Sequence, residues 1–368
     1  MSGLVGNNTD DGSGVIATIA GGATIDSSDP AVDTNADLGT VWSNSTSGET
    51  YICTDATAGS NVWTNVGDGT GDIRPYSFQG SSYGYFYGGT GAPTNKIDRV
   101  SFTSDGDATD VGDMVSGRNT YAGQSSTTHG YVSGGIPAPS EPIEKFQFAV
   151  SDGFTMTDVA DLTVGRNYIS GHSSETYGFV SGGGAPPGQD IIDKFPFASD
   201  SNATDVGNLT VARSGWSGTN SLTHGYTAGG WEGGPLSNII DKFSMVSDGN
   251  ATDVGDILVA TSQTSSASST TYGYSVGDYQ PTLTNVIQKY SFSSDGNSTD
   301  VGNLTGVVFT SGGCSATAYG YRGGGSTAGS GGGATNIIDK WSFTSDADAT
   351  DVGNLTHART YLGYGSQY

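Results

Sequence analysis

Positive charge is scarce in this chain. Lys and Arg number 13 against 37 Asp and Glu, a net charge of −24 over 368 residues. Like charges repel at long range, so neither nucleic acid nor an anionic membrane is an expected partner. Cysteine is nearly absent: Cys53 and Cys314 lie in different regions and make neither a disulfide framework nor a metal-ligand spacing. No apolar run reaches 18 residues, so no membrane insertion is expected. The N-terminus, Met1-Ser-Gly-Leu-Val-Gly-Asn-Asn, lacks the basic and apolar regions of a secretory signal, and none is expected. A Gly-x-Ser-x-Gly elbow, a zinc signature and a phosphate loop are all missing. No cofactor or metal is expected.

What is abundant is glycine, 60 residues of it, which argues against long helices. It is also periodic. One phrase recurs six times, in its cleanest copy His224-Gly-Tyr-Thr-Ala-Gly-Gly, then Asn238-Ile-Ile-Asp-Lys-Phe, then Asn250-Ala-Thr-Asp-Val-Gly-Asp. Its Asp-Val pairs begin at Asp110, Asp158, Asp205, Asp253, Asp300 and Asp351, a step of 47 to 51 residues. A period in this range made of short β-like runs means an array of small sheets. Each repeat holds four runs, a to d, with tight-turn chemistry (Ser-Asp-Gly or a variant) between c and d, beginning at Ser104, Ser151, Ser199, Ser247, Ser294 and Ser345.

Three parts follow from this. Residues 1–39 read as an extended attachment arm. Residues 40–72 read as a three-stranded β module plus linker, with Trp42, Tyr51 and Trp63 as its small core and a Ser47-Gly48 hairpin turn. Residues 73–368 carry the repeats. Runs b, c and d occur six times but run a seven times, the last copy starting at Arg359. A surplus C-terminal strand is expected to pair with the first sheet and leave no open edge, with residues 75–82 serving as a neck.

The order of parts resembles the kelch repeat of β-propellers. A basic residue precedes run a (Arg74, Arg118, Arg166, Arg213, Arg359), a double glycine ends run b (Gly134-Gly135, Gly229-Gly230), and an aromatic follows in run c. The fifth repeat departs with Gly277-Asp278, and Thr261 and Val308 stand where arginine is due. The resemblance implies an all-β fold: a six-bladed kelch-like propeller closed by the C-terminal strand. It implies no particular activity, because propellers host many.

Groups present in every repeat serve the fold. Asp193, Lys194, Asp241, Lys242, Asp339 and Lys340 are expected to make contacts between neighbouring blades, and Arg118, Arg166, Arg213 and Arg359 to be structural as well. The acids also recur, which leaves no off-pattern pair for glycosidase chemistry. Asp105-Gly-Asp107-Ala-Thr-Asp110 is rich in oxygen, but copies replace the middle acid by Asn202, Asn250 or Asn297 and no bidentate Glu follows, so calcium is not expected. His129 and His224 share a slot that Tyr83, Tyr177, Tyr272 and Tyr319 fill elsewhere, the mark of packing. Lys96 and Arg322 stand off the pattern. With Trp231, Glu232, Tyr279 and Gln280 of the variable b–c loops, they are the candidate ligand-binding residues. No catalytic residue is assigned.

The module beginning Leu38-Gly-Thr-Val-Trp-Ser-Asn-Ser-Thr-Ser-Gly-Glu-Thr-Tyr-Ile-Cys-Thr, and the Gly-, Ser- and Asp-rich repeats, look like segments of tail-fibre and other virion proteins of marine tailed phages similar to cyanophages. That resemblance implies a virion appendage. Residues 1–72 would attach it to other virion proteins and support a homo-oligomer, a trimer being one option. The loops would meet a host-surface glycan or protein. The alternatives are a structural spacer or capsid decoration protein, and a glycan-processing enzyme.

Overall fold

The computed structural model describes residues 23–66, 73, 75–91, 95–137, 140–184, 188–215, 217–279, 282–329 and 332–368. Residues 1–22 of the arm, the linker 67–72, Arg74 and Gln280 lie outside them. The chain divides into two compact units, Met1–Tyr76 and Ser77–Tyr368.

The first unit is one four-stranded sheet in the order β1 (Thr24–Asp26), β2 (Val41–Asn44), β3 (Thr50–Asp55), β4 (Val62–Asn65). Alternation along β3 and β4 turns Tyr51, Cys53 and Trp63 to one face, all at most 1% exposed, and Trp42 meets Trp63 edge-on at 6.0 Å. Two boundaries differ from expectation. The residues read as arm supply a fourth strand, because β1 pairs in parallel with β2. At the other end Ile73 bridges Trp63, so it belongs to this sheet rather than to the repeats. Three residues in a parallel pairing carry no sequence pattern, since backbone groups alone make the contact.

The second unit is an all-β, propeller-like array of mainly antiparallel sheets, one per repeat, with Phe154–Thr155 added in parallel to the d edge of the first. Sheets 2 to 6 each run a-b-c-d. Their a strands are Ala122–Ser125, Ser170–Ser173, Ser217–Asn220, Ser265–Ser268 and Gly312–Ser315. Sheet 1 takes b, c and d from Tyr83–Tyr87, Lys96–Ser101 and Thr109–Asp113. Its a strand comes from the other end of the chain: Ser366 pairs with Tyr85 and Gln367 with Gly84. Residues 75–82 form no strand; Gly80 bridges Ala316, and the Gln79 amide donates to the Ala316 carbonyl at 2.8 Å.

Within a sheet, the repeated glycine at the start of run b lies opposite the aromatic of run c: Gly130 faces Phe146, Gly178 faces Phe195, Gly225 faces Phe243 and Gly320 faces Trp341. A Cβ there would enter the ring, so the absent side chain lets the aromatic lie over the strand and cover it. Between sheets lie six apolar clusters, each drawn from two adjacent sheets. The commonest joint is a stacked ring pair from b of one sheet to the end of c in the next: Tyr131 on Phe197, Tyr226 on Phe292, Tyr274 on Phe343, and Tyr321 on Phe102.

Each a strand also packs against the a strands of the neighbouring sheets, Ser366–Gln367 included. At their last residue, backbone amides donate to side-chain oxygens of the next sheet: Ser125 to Ser173, Asn220 to Ser268, Ser268 to Ser315, and Gln367 to Ser125. Two residues earlier, Gly171, Gly218 and Gly313 bring the strands so close that a Cβ would strike a neighbouring carbonyl or amide. The a strands thus pack edge to edge from one sheet to the next.

Candidate functional site

Asp and Lys of run c are adjacent, so strand alternation sends them to opposite sides. The expected contact between blades is therefore corrected for half of each pair. The acid points inward. Asp193 and Asp241 are fully buried and receive Arg166 at 2.5 Å and Arg213 at 2.9 Å. Arg118–Glu144 and Arg359–Asp98 repeat the arrangement at 3.0 and 2.6 Å. The same acids cap the preceding d–a loop, where Thr210 donates to Asp241 from its amide and its hydroxyl.

The lysine points outward and does cross between sheets. Lys194 reaches Asp248, Lys242 reaches Asp295, Lys289 reaches Asp346 and Lys340 reaches Asp105, at 2.5 to 3.0 Å; Lys145 meets Asp200, and Arg99 meets Asp152. Four of these cations also lie 4.6 to 5.0 Å over the first Tyr of run b.

The two off-pattern cations are not free either. Arg322 is corrected from ligand-binding to structural: it is 2% exposed and pairs with Asp339. It sits on strand b opposite that acid, supplying the guanidinium that Val308 cannot. Lys96 bonds Asp110 and Asp113 at 3.0 and 3.2 Å. All 12 described basic residues are thus ion-paired inside the fold. No cation among them is left to hold phosphate, sulfate or sialate.

The histidines show no catalytic partner set. His172 is fully buried in an a strand. Its Nδ1 lies 3.0 Å from the Thr219 carbonyl, which can only accept, so Nδ1 carries the proton and Nε2 accepts from Ser181 at 2.9 Å. Burial pulls its pKa down to about 4. His129 and His224 are also lowered, first by burial and then by Lys145 and Lys242. Among the described residues no His, Cys, Asp and Glu cluster could hold a metal ion.

Variation gathers where b–c and d–a loops meet. In most sheets the residue after the double glycine, or after Gly277-Asp278, bridges the d–a loop: Ile136 with Asn119, Trp231 with Ser214, Tyr279 with Ser262, Ser326 with Phe309. Trp231 and Tyr279 are therefore equivalent positions on adjacent sheets. The Trp231 indole is 37% exposed and donates to the Gly234 carbonyl. Tyr279 stacks on buried Phe309 at 4.7 Å. Glu232 is half-buried, and its amide bonds the Pro235 carbonyl.

Sequence reasoning missed a second ring beside this one. In five of the six sheets, sheet 4 with Gly215 being the exception, the residue just before the core of run a has a left-handed backbone, with φ of 58° at Thr120, 54° at Tyr168, 67° at Gln263, 55° at Thr310 and 60° at Tyr361. Their amides and carbonyls link neighbouring sheets: Thr120 donates to Tyr361, Tyr168 to Thr120, and Thr310 to Gln263. The backbone repeats while the side chain changes. Left-handed φ in non-glycine residues is costly and collects at working sites. No residue type marks this position, and its flanking residues vary as well, so the sequence carried no signal for it.

Sheet 5 departs most. It has lost both members of the buried pair: Thr261 replaces Arg and Gln288 replaces Asp. Ser298 stands where Ala is usual and bonds Gln288 at 2.7 Å. Asp278 occupies the second position of the double glycine. It is 6% exposed and accepts from Thr284 Oγ1 at 2.8 Å, and burial raises its pKa.

No protein-family model matches this chain, and no curated protein matches it. Among solved structures, one described as "Structure of YjhT" aligns with a TM-score of 0.54 at 12% identity, covering 66% of this chain and 86% of that one. At that identity the likeness concerns the fold alone. In total 316 solved chains match, so the architecture is common and selects no activity.

Proposed function

We propose that this chain is a non-catalytic recognition protein. In this reading the six sheets are the blades of one closed kelch-like propeller, and the b–c and d–a loops on one face meet a host-surface glycan or protein. Its setting is a phage virion appendage, attached through the N-terminal unit, where many copies strengthen a weak single contact. One observation carries the reading: the described cations are consumed in structural pairs that mostly repeat, while unrepeated side chains gather where the b–c and d–a loops meet. A catalytic alternative would need off-pattern acids or nucleophiles set against one another.

The test is adsorption of the full-length protein to host cells, with the b–c loops of sheets 4 and 5 replaced by that of sheet 2. Recognition requires that adsorption fall at least tenfold while the thermal midpoint is unchanged. Equal adsorption would favour a spacer or decoration role. Turnover of host polysaccharide by the purified protein would refute the non-catalytic reading.

A further inference from the structure

Asp278 is the side chain that the fold least explains. The other described sheets carry glycine at its position (Gly89, Gly135, Gly183, Gly230, Gly325), and the Cβ of an ordinary residue there meets the start of run a: Tyr121 at Gly135 and Ser311 at Gly325. By equivalence the Asp278 Cβ lies near the start of its own run a, while its carboxylate accepts from Thr284 Oγ1 at 2.8 Å. Among the described residues its Oδ2 receives no hydrogen bond, and no cation stands nearby, because sheet 5 has dropped its arginine. A buried carboxylate with one neutral donor costs stability. Yet the same sheet that discarded a buried charge pair gained this one.

Beside Asp278 stand Tyr279, backed by Phe309, and on the next sheet the half-exposed Trp231. An acceptor oxygen with aromatic side chains beside it at the rim matches a ligand with hydroxyls on its edge and C–H groups on its faces. With every described cation committed, nothing there favours an anionic sugar.

From this geometry we propose that the rim of sheets 4 and 5 binds an uncharged saccharide, with Asp278 accepting its hydroxyls and Trp231 and Tyr279 flanking its apolar faces. This rests on the recognition reading above and names its ligand class. The experiment measures binding of the full-length protein to immobilised neutral gluco-, galacto- and manno-oligosaccharides, a sialylated oligosaccharide and an amine-bearing chitosan oligosaccharide. Thermal midpoints are followed in parallel.

A neutral sugar is expected to bind, with affinity falling at least tenfold in Asp278→Asn and in Trp231→Ala with Tyr279→Ala. Leu222→Ser, at an exposed a–b turn away from the rim, is expected to change nothing. Asp278→Asn should leave the thermal midpoint equal or raise it, since it removes a desolvated charge; a lower midpoint with unchanged binding makes Asp278 structural and overturns the proposal. So does binding of only the sialylated or chitosan probe, or of none. Cell adsorption that survives Asp278→Asn overturns the saccharide site and leaves the proposed function standing. Sugar binding without any cell adsorption supports the site and counts against that function.

Discussion

The internal repeat supplies its own mutational control, because sheet 5 does without the buried ion pair that its neighbours keep. Consider Arg213→Thr in sheet 4. Asp241 has no exposed surface and would keep two donors, the Thr210 amide at 3.0 Å and hydroxyl at 2.6 Å, while losing the guanidinium at 2.9 Å. The Thr227 carbonyl would also lose its donor, Arg213 at 3.0 Å. A buried carboxylate stripped of its partner costs about 3–5 kcal/mol. Burial already pushes the Arg213 guanidinium below its ordinary value, with Asp241 opposing, so the intact pair is far from a large net gain. The triple variant Arg213→Thr, Asp241→Gln, Ala251→Ser copies Thr261, Gln288 and Ser298 into sheet 4. There the amide oxygen can accept from the loop amide and the new serine, as Gln288 does from Leu258 and Ser298 at 2.9 and 2.7 Å. Urea unfolding should place the single variant about 3–5 kcal/mol below the parent and the triple within about 1 kcal/mol of it. The reasoning fails if the single variant costs under about 1 kcal/mol, or if the triple is as unstable as the single.

Other perturbations test other links. His172 is neutral in the fold with its pKa lowered from 6.5 to about 4, so the unfolded chain takes up the proton first. Its contribution is therefore complete above pH 6.5 and lost as pH falls toward 4, about 3 kcal/mol in all, and His172→Gln should flatten that part of the stability–pH curve. The outward bridges are half-exposed and screened: Lys194→Met should cost about 0.2–1 kcal/mol at low salt and almost nothing in 1 M NaCl, read from urea midpoints. Where the a strands meet, Gly171→Ala drives a methyl into the Gly123 carbonyl and should cost about 1–3 kcal/mol or more, whereas Gly234→Ala meets nothing within 4 Å and should be near neutral.

How far the sequence could be read depended on whether a residue's role recurred. Strand order, turn positions and the Gly–aromatic pairs return about every 47 residues, and the period made them visible. The strand Thr24–Asp26 occurs once, without alternation, and stayed hidden. Arg322 shows a subtler failure. Aligning by run made it an orphan, because space demands a guanidinium beside the acid rather than at a fixed place in the chain. The acid itself held the answer. Sheet 6 keeps Asp339 although Val308 has displaced the arginine, and a buried carboxylate at 0% exposure must find a cation somewhere. Arg322, one strand over and directly opposite, is that cation. Sheet 5 runs the same logic backwards: with Gln288 in place of the acid, the arginine could go, and Thr261 marks its departure. Acid and base therefore change together across the repeats, as one unit of charge balance. A charge that breaks this rule has some other reason to be there. Asp278 has neither a recurring position nor, among the described residues, a cation, and its described donor is the neutral Thr284 hydroxyl, which is why the proposed site is placed there.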